Sequence, residues 1–252
     1  GGVDVQSLFE PVQPQLFTVQ GGQPNAWADY DGDGDLDLAL LGSTTTAPPY
    51  APRTLLYRND AGTLTPVDAG LPDLHSGSLA WADHDGDGDL DLLLTGTASA
   101  SAPYTPEAHL YLNTGGTFAE APTALPALVF GTFEWLDFRG DARPDVFLSG
   151  LTPAGIVTST YEQRGGQYVA VETGAGVLFG RAAVAPTAGS ARVALTGATP
   201  SATYFSGRTT LTGGSIAEPL FGGDVAFGDL DGDGNLDFAV TGQARQYAPA
   251  EF

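Results

Sequence analysis

The sequence predicts an all-β fold, a β-propeller of five four-stranded blades, on three observations. One acidic motif recurs along the chain, short apolar runs of strand length flank each copy, and no segment shows helical periodicity. Units of four antiparallel strands that repeat every 45 to 54 residues are typical of propeller blades, because each blade buries its faces only against its neighbours. We therefore expect residues 1–252 to form a single propeller domain.

The acidic motif occurs in five copies that are preserved to different degrees. The first two, WADYDGDGDLDLALLG and WADHDGDGDLDLLLTG, are nearly identical. The third, WLDFRGDARPDVFLSG, keeps part of the acidic loop, the fourth has lost every acid, and the fifth, FGDLDGDGNLDFAVTG, is well preserved. The five copies occupy residues 27–42, 81–96, 135–150, 182–197 and 227–242.

Each copy lies between segments that have the pattern of β-strands. In the second unit, the apolar stretch SLAWAD leads into the acidic loop and the run LDLLLTG follows it. The segments HLYLN and TFAEA then lie on either side of an N-T-G-G turn, which is typical of a hairpin. The aromatic residue two positions before the first acid is expected in the core. These aromatic residues are Trp27, Trp81, Trp135 and Phe227.

The two ends of the sequence predict that the blades close into a ring. Residues 7–17 resemble the fourth strand of later units, and residues 247–252 resemble the start of a third strand. We expect the N-terminal strand to complete the C-terminal blade, because pairing the termini in one sheet removes the exposed edges of an open array. The alternative is an open fragment of a larger propeller.

The acidic loop of each well-preserved copy is a candidate metal site. In the first copy, aspartates occupy positions 1, 3, 5, 7 and 9, and Gly32 and Gly34 allow the backbone to curl. Carboxylates this close repel one another without a cation. Side-chain oxygens at positions 1, 3, 5 and 9, with a backbone carbonyl at position 7, suit Ca²⁺ better than Mg²⁺. Leu36, at position 8, is expected to point into the core.

Three calcium sites follow from this pattern, and two loops depart from it. The predicted ligands are Asp29, Asp31, Asp33, Asp35 and Asp37 in the first site, Asp83, Asp85, Asp87, Asp89 and Asp91 in the second, and Asp229, Asp231, Asp233, Asn235 and Asp237 in the third. The third copy of the motif, residues 135–150, is not one of these three sites, because Arg139 occupies a ligand position. We expect its guanidinium to replace the metal by bridging Asp137, Asp141 and Asp145. The fourth copy retains only Arg192 near the last ligand position and is expected to bind no metal.

These loops resemble those of a known repeat family. The D-x-D-x-D-G-x-L-D pattern, together with the dipeptides Phe130-Gly131, Phe179-Gly180 and Phe221-Gly222, is similar to the FG-GAP/VCBS repeats of integrin-α-type propellers. The resemblance implies a calcium-binding propeller, usually seven-bladed and extracellular, in a family with adhesion, lectin-like and occasional enzymatic members. Five blades depart from that usual number.

The charge of the chain restricts its partners. Thirty acidic residues face nine basic residues, and the formal net charge is −21. This charge argues against nucleic acid and anionic membranes as partners and favours cations. No apolar run approaches the roughly 18 residues of a membrane span, so no membrane insertion is expected. Loops of this kind suit compartments rich in calcium, which predicts an extracellular or cell-surface location.

The sequence offers little support for an enzyme, and a polysaccharide-acting enzyme is the least favoured interpretation. Its histidines, His75, His84 and His109, are scattered, and it contains neither a cysteine nucleophile nor a G-x-S-x-G elbow. His84, at the second position of its loop, is expected on the surface. Loops whose own ligands fill the metal shell leave little room for a substrate, so we expect calcium to be structural.

A binding module fits the sequence better than an enzyme. Tyr50, Tyr104 and Tyr247 each precede a proline by two residues in a loop between strands. A tyrosine on a stiff loop is a good platform for a glycan or an extracellular protein. The alternative is that these rings only pack beneath their own loops. Self-association into a surface layer or filament through the same loops is a third interpretation.

Overall fold

The computed structural model describes residues 25–175, 178–187, 190–200, 205–211, 214–215, 225–229, 231–233 and 237–241. Every regular element in these ranges is a β-strand, which confirms the predicted all-β class. None of the described residues forms a helix that could cross a membrane. The expected ring-closing strand and the trailing third strand fall in residues 1–24 and 242–252, outside the described ranges.

The strands form successive four-stranded antiparallel sheets in chain order. The first sheet contains β1 (Asn25–Ala28), β2 (Asp37–Ser43), β3 (Pro52–Asp60) and β4 (Thr63–Val67). The second contains β5 (His75–Ala82), β6 (Asp91–Thr97), β7 (Glu107–Thr114) and β8 (Thr117–Ala121). The third contains β9 (Val129–Leu136), β10 (Asp145–Thr152), β11 (Gly155–Arg164) and β12 (Gln167–Ala175).

The later part of the chain continues this arrangement. The fourth sheet contains β13 (Leu178–Thr187), β14 (Ser190–Pro200), β15 (Phe205–Leu211) and β16 (Gly214–Ser215). In the fifth, the described residues form the antiparallel pair β17 (Val225–Gly228) and β18 (Asp237–Val240). The chain therefore crosses each sheet strand by strand before it starts the next, as the repeat predicts.

Consecutive sheets pack against one another through their first strands. Strand β5 lies against β1 and β2, and β9 lies against β5 and β6. In the same way β13 contacts β9 and β10, and β17 contacts β13 and β14. The first strands of successive sheets are therefore neighbours along the whole described array.

Alternating side chains of β6 contribute to two different cores. Leu92 and Leu94 belong to the buried cluster shared with the first sheet, whereas Leu93 belongs to the cluster shared with the third. Because successive side chains of a strand point to opposite faces, burial on both faces explains this continuous apolar run. Full burial of each leucine contributes about 1.5–3 kcal/mol to stability.

A glycine in the first strand of the second and third sheets allows two strands to approach closely. A Cβ atom would lie 1.7 Å from a carbonyl oxygen of the second strand at Gly77, and 2.1 Å from the corresponding oxygen at Gly131. The preceding residues, Ser76 and Phe130, have positive φ angles of 54° and 55°, and the strand register shifts beside each glycine. Each pair therefore forms a β-bulge that needs glycine at its second position.

Two apolar residues that were expected in the core lie at the surface. Trp27 is 51% exposed and Leu36 is 57% exposed, so both predictions are wrong. Leu36 faces outward because the next residue, Asp37, points inward and is fully buried, and side chains alternate along an extended chain. By contrast, Trp81 and Trp135 pack against the two buried clusters.

Candidate metal centres

The first aspartate of each well-preserved acidic loop holds that loop closed through backbone hydrogen bonds. The two carboxylate oxygens of Asp29 accept hydrogen bonds from the amides of Asp33 and Gly34, both at 3.0 Å. Asp83 and Asp229 likewise accept two amides from their own loops. Gly34 has a φ angle of 97°, which allows the backbone to curl around the carboxylate.

In the first three acidic loops the ninth-position aspartate is buried and joins the loop to the third strand of its sheet. Asp37 accepts hydrogen bonds from the amide of Asn59 at 2.8 Å and from the amide of Tyr30 at 3.0 Å. Asp91 and Asp145 accept the equivalent pairs of amides. Burial raises the pKa of all three carboxyl groups, although the backbone amides oppose the shift.

Asp31 carries the clearest indication of a cation site. Its Oδ1 atom is buried and has no hydrogen-bond partner among the described residues. Ligand oxygens of Asp29, Asp31 and Asp33 lie within 4.8 Å of one another. A buried acceptor without a partner costs about 1–3 kcal/mol, and more when it is charged. A hard cation that prefers oxygen ligands, such as Ca²⁺, fits this set of donors.

The second and fifth loops also gather carboxylates closely enough for a metal ion. The groups whose ligand atoms lie within 4.8 Å are Asp83, Asp85 and Asp91 in the second loop, and Asp229, Asp231 and Asp237 in the fifth. The structure therefore brings predicted ligands together in all three loops, at positions 1 and 3 and at either 5 or 9. Asn235, the predicted ligand at position 7 of the fifth loop, lies outside the described residues.

The seventh-position side chain contacts the next turn of its sheet. Asp35 Oδ2 accepts a hydrogen bond from the amide of Ala61 at 2.8 Å, and Asp89 Oδ2 accepts one from the amide of Gly115 at 2.8 Å. Both donors lie in the turn between the third and fourth strands. These side chains therefore join the loop to the turn between the third and fourth strands.

Arg139 does not bridge the three aspartates of the third loop as expected. Its guanidinium lies 2.6 Å from Asp141 and donates to the carbonyl oxygen of Gln163 at 2.9 Å. The carboxylates of Asp137 and Asp145 instead accept backbone amides. The bridging hypothesis is therefore wrong for those two residues, because the guanidinium makes its hydrogen bonds to Asp141 and to the carbonyl oxygen of Gln163 instead. Burial acts to raise the pKa of Asp137, but the amides outweigh it and lower that pKa.

The fourth copy of the motif has no loop of this length. Only residues 188–189 separate β13 from β14, whereas residues 29–36 separate β1 from β2. Arg192, the residue expected near the last ligand position, pairs in the ladder with Ala185. The segment that aligns with the acidic loop is therefore mostly strand, and it contains no acidic side chain.

The first two acidic loops fall within one match to a known family. Residues 29–94 match the FG-GAP-like repeat. This match is consistent with an FG-GAP-type repeat family and confirms the resemblance predicted from the motifs. No curated protein matches the chain.

The first loop of the FG-GAP-like repeat inserts a side chain into the second sheet. Tyr30 stacks on Trp81 with ring centroids 5.7 Å apart and planes 8° apart, and it contacts Phe118 at 5.4 Å. Asn113 donates from Nδ2 to the carbonyl oxygen of Tyr30 at 2.7 Å. We call the surface formed by Trp81, Phe118 and Asn113 the inter-sheet socket of the second sheet. Burial raises the pKa of Tyr30 to about 12, and nearby carboxylates add to this shift.

His84, from the second loop of the FG-GAP-like repeat, fills the equivalent socket of the third sheet. Its ring packs between Trp135 and Tyr168, and its Nδ1 atom lies 2.7 Å from the Tyr168 hydroxyl oxygen. Gln163 donates to the carbonyl oxygen of His84 at 2.9 Å. The prediction that His84 is a surface residue is therefore wrong. Burial lowers the pKa of His84, although the carboxylate of Asp91 opposes the shift.

Two of the tyrosines predicted to bind a ligand form one aromatic surface across neighbouring sheets. Tyr50 packs on the buried His75 with ring centroids 4.7 Å apart, and Tyr104 packs edge-on against Phe130 at 5.4 Å. The two tyrosine rings are 6.4 Å apart and half-buried. They lie at the opposite sheet ends from the acidic loops, because their loops follow the second strands. Tyr247 lies outside the described residues.

Proposed function

We propose that this chain is an extracellular calcium-binding β-propeller that acts as a binding or adhesion module, with calcium in a structural role. The observation that carries the proposal is the buried Oδ1 of Asp31, which has no partner among the described residues and lies in a cluster of three carboxylates. The FG-GAP-like repeat over residues 29–94 supports the same assignment.

In the proposed sites the carboxylates at positions 1 and 3, with position 5 or 9, hold the ion. Bound calcium supplies positive charge that offsets the repulsion among these groups in a chain of net charge −21. The chain holds these oxygens in place before an ion binds. Asp29 accepts amides of its own loop, and Asp37 accepts one amide from the loop and one from β3. Binding only to the folded state adds RT ln(1 + [L]/Kd), about 2.7 kcal/mol per site at a hundredfold excess over Kd.

A closed ring of five blades is the architecture that we propose for the whole chain. Contact between the first strands of successive sheets supports it, because propeller blades are arranged with these strands around a central axis. The five copies of the motif supply the number of blades. Pairing of the N-terminal strand with the last sheet then removes the open edges.

The proposed ligand is a glycan or an extracellular protein, bound at the aromatic surface of Tyr50 and Tyr104. These rings are half-buried, so each presents part of a rigid apolar face with a polar hydroxyl beside it. The proposal assigns no catalytic role to the chain, since the carboxylates of the acidic loops are used to hold the loops and the ion. An extracellular location supplies the calcium that such sites need.

Titration calorimetry with calcium tests the metal proposal, with magnesium as the matched control. Three bound calcium ions and weak magnesium binding are expected, and failure to bind calcium would contradict the proposal. A glycan array on calcium-loaded protein, repeated in EDTA with circular dichroism to follow the fold, tests the ligand. Calcium-dependent hits support a lectin-like module, whereas silence from folded protein with large particles in light scattering would favour self-assembly.

A further inference from the structure

The side chain of Asn113 contacts the first and the second acidic loop at once. Its Nδ2 atom donates to the carbonyl oxygen of Tyr30 in the first loop at 2.7 Å, and to the carbonyl oxygen of Leu90 in the second loop at 3.1 Å. Its Oδ1 atom accepts the amide of Gly116 at 2.9 Å. Asn113 is 1% exposed, so both N–H groups of this side chain find their acceptors inside the protein.

The backbone of Asn113 extends this contact to a predicted calcium ligand of the second loop. Its amide donates to Asp91 Oδ1 at 2.8 Å, and the other oxygen of Asp91 accepts the amide of His84 at 2.8 Å. On the side of the first loop, the amide of Tyr30 donates to Asp37 Oδ2 at 3.0 Å. An unbroken series of hydrogen bonds therefore joins the ninth-position carboxylates of the two loops.

The turn at residues 113–116 also covers a predicted ligand of the first loop. A Cβ atom on Gly116 would lie 3.7 Å from the Cβ atom of Asp31, so the turn lies against the residue whose Oδ1 atom is buried without a partner among the described residues. The amide of Gly115 donates to Asp89 Oδ2 in the second loop at 2.8 Å. The turn therefore contacts the first candidate site and the loop of the second.

A link of the same kind joins the second loop to the third. The residue whose amide donates to the ninth-position aspartate is Asn113 in the second sheet, Gln163 in the third and Asn59 in the first. Gln163 also reaches the preceding loop, because its Nε2 atom donates to the carbonyl oxygen of His84 at 2.9 Å. Among the described residues, the side chain of Asn59 bonds only within its own sheet and loop. Asn59 therefore offers a matched control for Asn113.

We propose that Asn113 couples the first two calcium sites, so that an ion bound in either loop raises the affinity of the other. This proposal rests on the calcium sites of the proposed function and adds a dependence between two of them. Closure of the first loop around an ion fixes the carbonyl group of Tyr30, which holds the Asn113 side chain. Asn113 in turn holds Asp91 through its amide. Closure of one loop therefore orders groups that the other ion needs, and the second ion binds without that ordering cost.

Two opposing effects set the sign of this coupling. Opening of the first loop takes the Tyr30 carbonyl away from a buried N–H group of Asn113, so a state with one loop open and the other closed is unfavourable. Repulsion between two bound cations acts in the opposite direction. Salt at physiological ionic strength screens such repulsion beyond about 8 Å, whereas it leaves a buried hydrogen bond intact. The coupling is therefore positive.

Calcium titration of full-length variants tests the coupling. Asp231→Asn removes the third predicted site and gives a background in which the first two remain. Adding Asp85→Asn then leaves the first site alone, and adding Asp31→Asn leaves the second alone. The affinity of each site in the two-site protein, divided by its affinity alone, gives the coupling factor. Thermodynamic linkage requires the same factor from both directions.

A coupling factor of about 5-fold or more is expected with the natural Asn113, as is typical of linked sites. Asn113→Ala should bring the factor close to one, since it removes the bond to Tyr30 without changing the charge. Asn59→Ala removes the equivalent bonds within the first sheet and should leave the factor unchanged. A factor near one in the natural background, a factor that survives Asn113→Ala, or an equal loss in Asn59→Ala would overturn the proposal.

Amide exchange gives a second test that leaves Asn113 in place. In the chain with Asp31→Asn and Asp231→Asn, only the second loop keeps its full set of predicted ligands. Addition of calcium should nevertheless slow the exchange of the Tyr30 amide about 5-fold or more, because the effect reaches the first loop through Asn113. Unchanged exchange at Tyr30 would overturn the coupling.

The two proposals fail in different ways. If the natural chain binds three calcium ions independently, the coupling is wrong and the proposed function still holds. If the natural chain binds no calcium, the proposed function is wrong and the coupling is wrong with it.

Discussion

The carboxylate of Asp145 joins the third acidic loop to the neighbouring strand by accepting the amide of Gln163 at 2.8 Å. Its other oxygen accepts the amide of Phe138 at 2.9 Å, and the side chain is fully buried. The third loop makes this contact although Arg139 stands at one of its ligand positions. The ninth-position aspartate therefore supports the fold in a way that does not depend on a complete set of calcium ligands.

Replacement of this carboxylate should destabilise the protein even without metal. In Asp145→Ala the two amides lose their acceptor, and each unsatisfied buried donor costs about 1–3 kcal/mol. Urea denaturation in EDTA measures the loss. The control is Asp60→Ala, which removes an exposed ion pair with Arg58 and should cost no more than about 1 kcal/mol. Equal losses in the two variants would contradict the structural role of Asp145.

Removal of the charge at Asp31 should abolish one calcium site. Asp31→Asn should reduce the calcium stoichiometry by one in titration calorimetry and reduce the calcium-dependent rise in melting temperature. In EDTA the variant should be as stable as the natural chain or more stable, since one repelling charge is gone. The exposed Asp68→Asn variant serves as the control for net charge. An unchanged stoichiometry in Asp31→Asn would contradict the site.

Gly131 should tolerate no side chain. In Gly131→Ala the new Cβ would meet a carbonyl oxygen of β10 at 2.1 Å, so the bulge must open. A loss of about 1–3 kcal/mol or more is expected from overpacking. Gly165→Ala is the comparison, because its φ angle of 62° is unfavourable but its surroundings are open. The loss should be larger for Gly131 in thermal denaturation, and the reverse order would refute the close approach.

The ring of Tyr30 should matter far more than its hydroxyl group. Tyr30→Ala empties the socket of the second sheet and should cost about 3–5 kcal/mol, as large aromatic truncations in cores do. Tyr30→Phe retains the stack on Trp81 and should be much less costly. Chemical denaturation of both variants at neutral pH provides the comparison, and similar losses would contradict the packing role of the ring.

Alkaline pH should destabilise the chain partly through Tyr30. In the unfolded chain this phenol loses its proton near its ordinary pKa of 10.0, whereas burial raises the folded pKa to about 12. The contribution of the protonated group is therefore complete below pH 10 and is lost as the pH rises through about 12. The melting temperature should fall less steeply over this range in Tyr30→Phe. Identical pH profiles would argue against the raised pKa.

The acidic loops could be predicted from the sequence because the hydrogen bonds that close each loop join residues only a few positions apart. Asp29 reaches amides only four and five residues ahead, so spacing alone places the carboxylates around one point. The four-strand unit was also predictable, because hairpin turns and apolar runs have local patterns. Both predictions depend on residues that are close together in the chain.

The sockets could not be predicted in the same way, because their contacts cross between sheets. Tyr30 accepts a hydrogen bond from Asn113, which is 83 residues away, and Gln163 reaches His84 across 79 residues. A histidine between two aspartates has the composition of an exposed loop, and only the neighbouring sheet buries it. The position of Leu36 was missed for a different reason, since the burial of a charged Asp37 reverses the expected alternation.

The direct hairpin between β13 and β14 takes the place of an acidic loop. The sheets of this chain should therefore differ in their response to the removal of calcium. The loops that gather carboxylates belong to the first, second and fifth sheets, whereas the third loop has Arg139 beside Asp141 and the fourth sheet has two residues in place of the loop. Withdrawal of calcium should therefore open the protein regionally and not all at once, with amide exchange accelerating in the first, second and fifth sheets while the third and fourth stay protected. With calcium bound as proposed, the ion would set the cooperativity of unfolding as well as its midpoint.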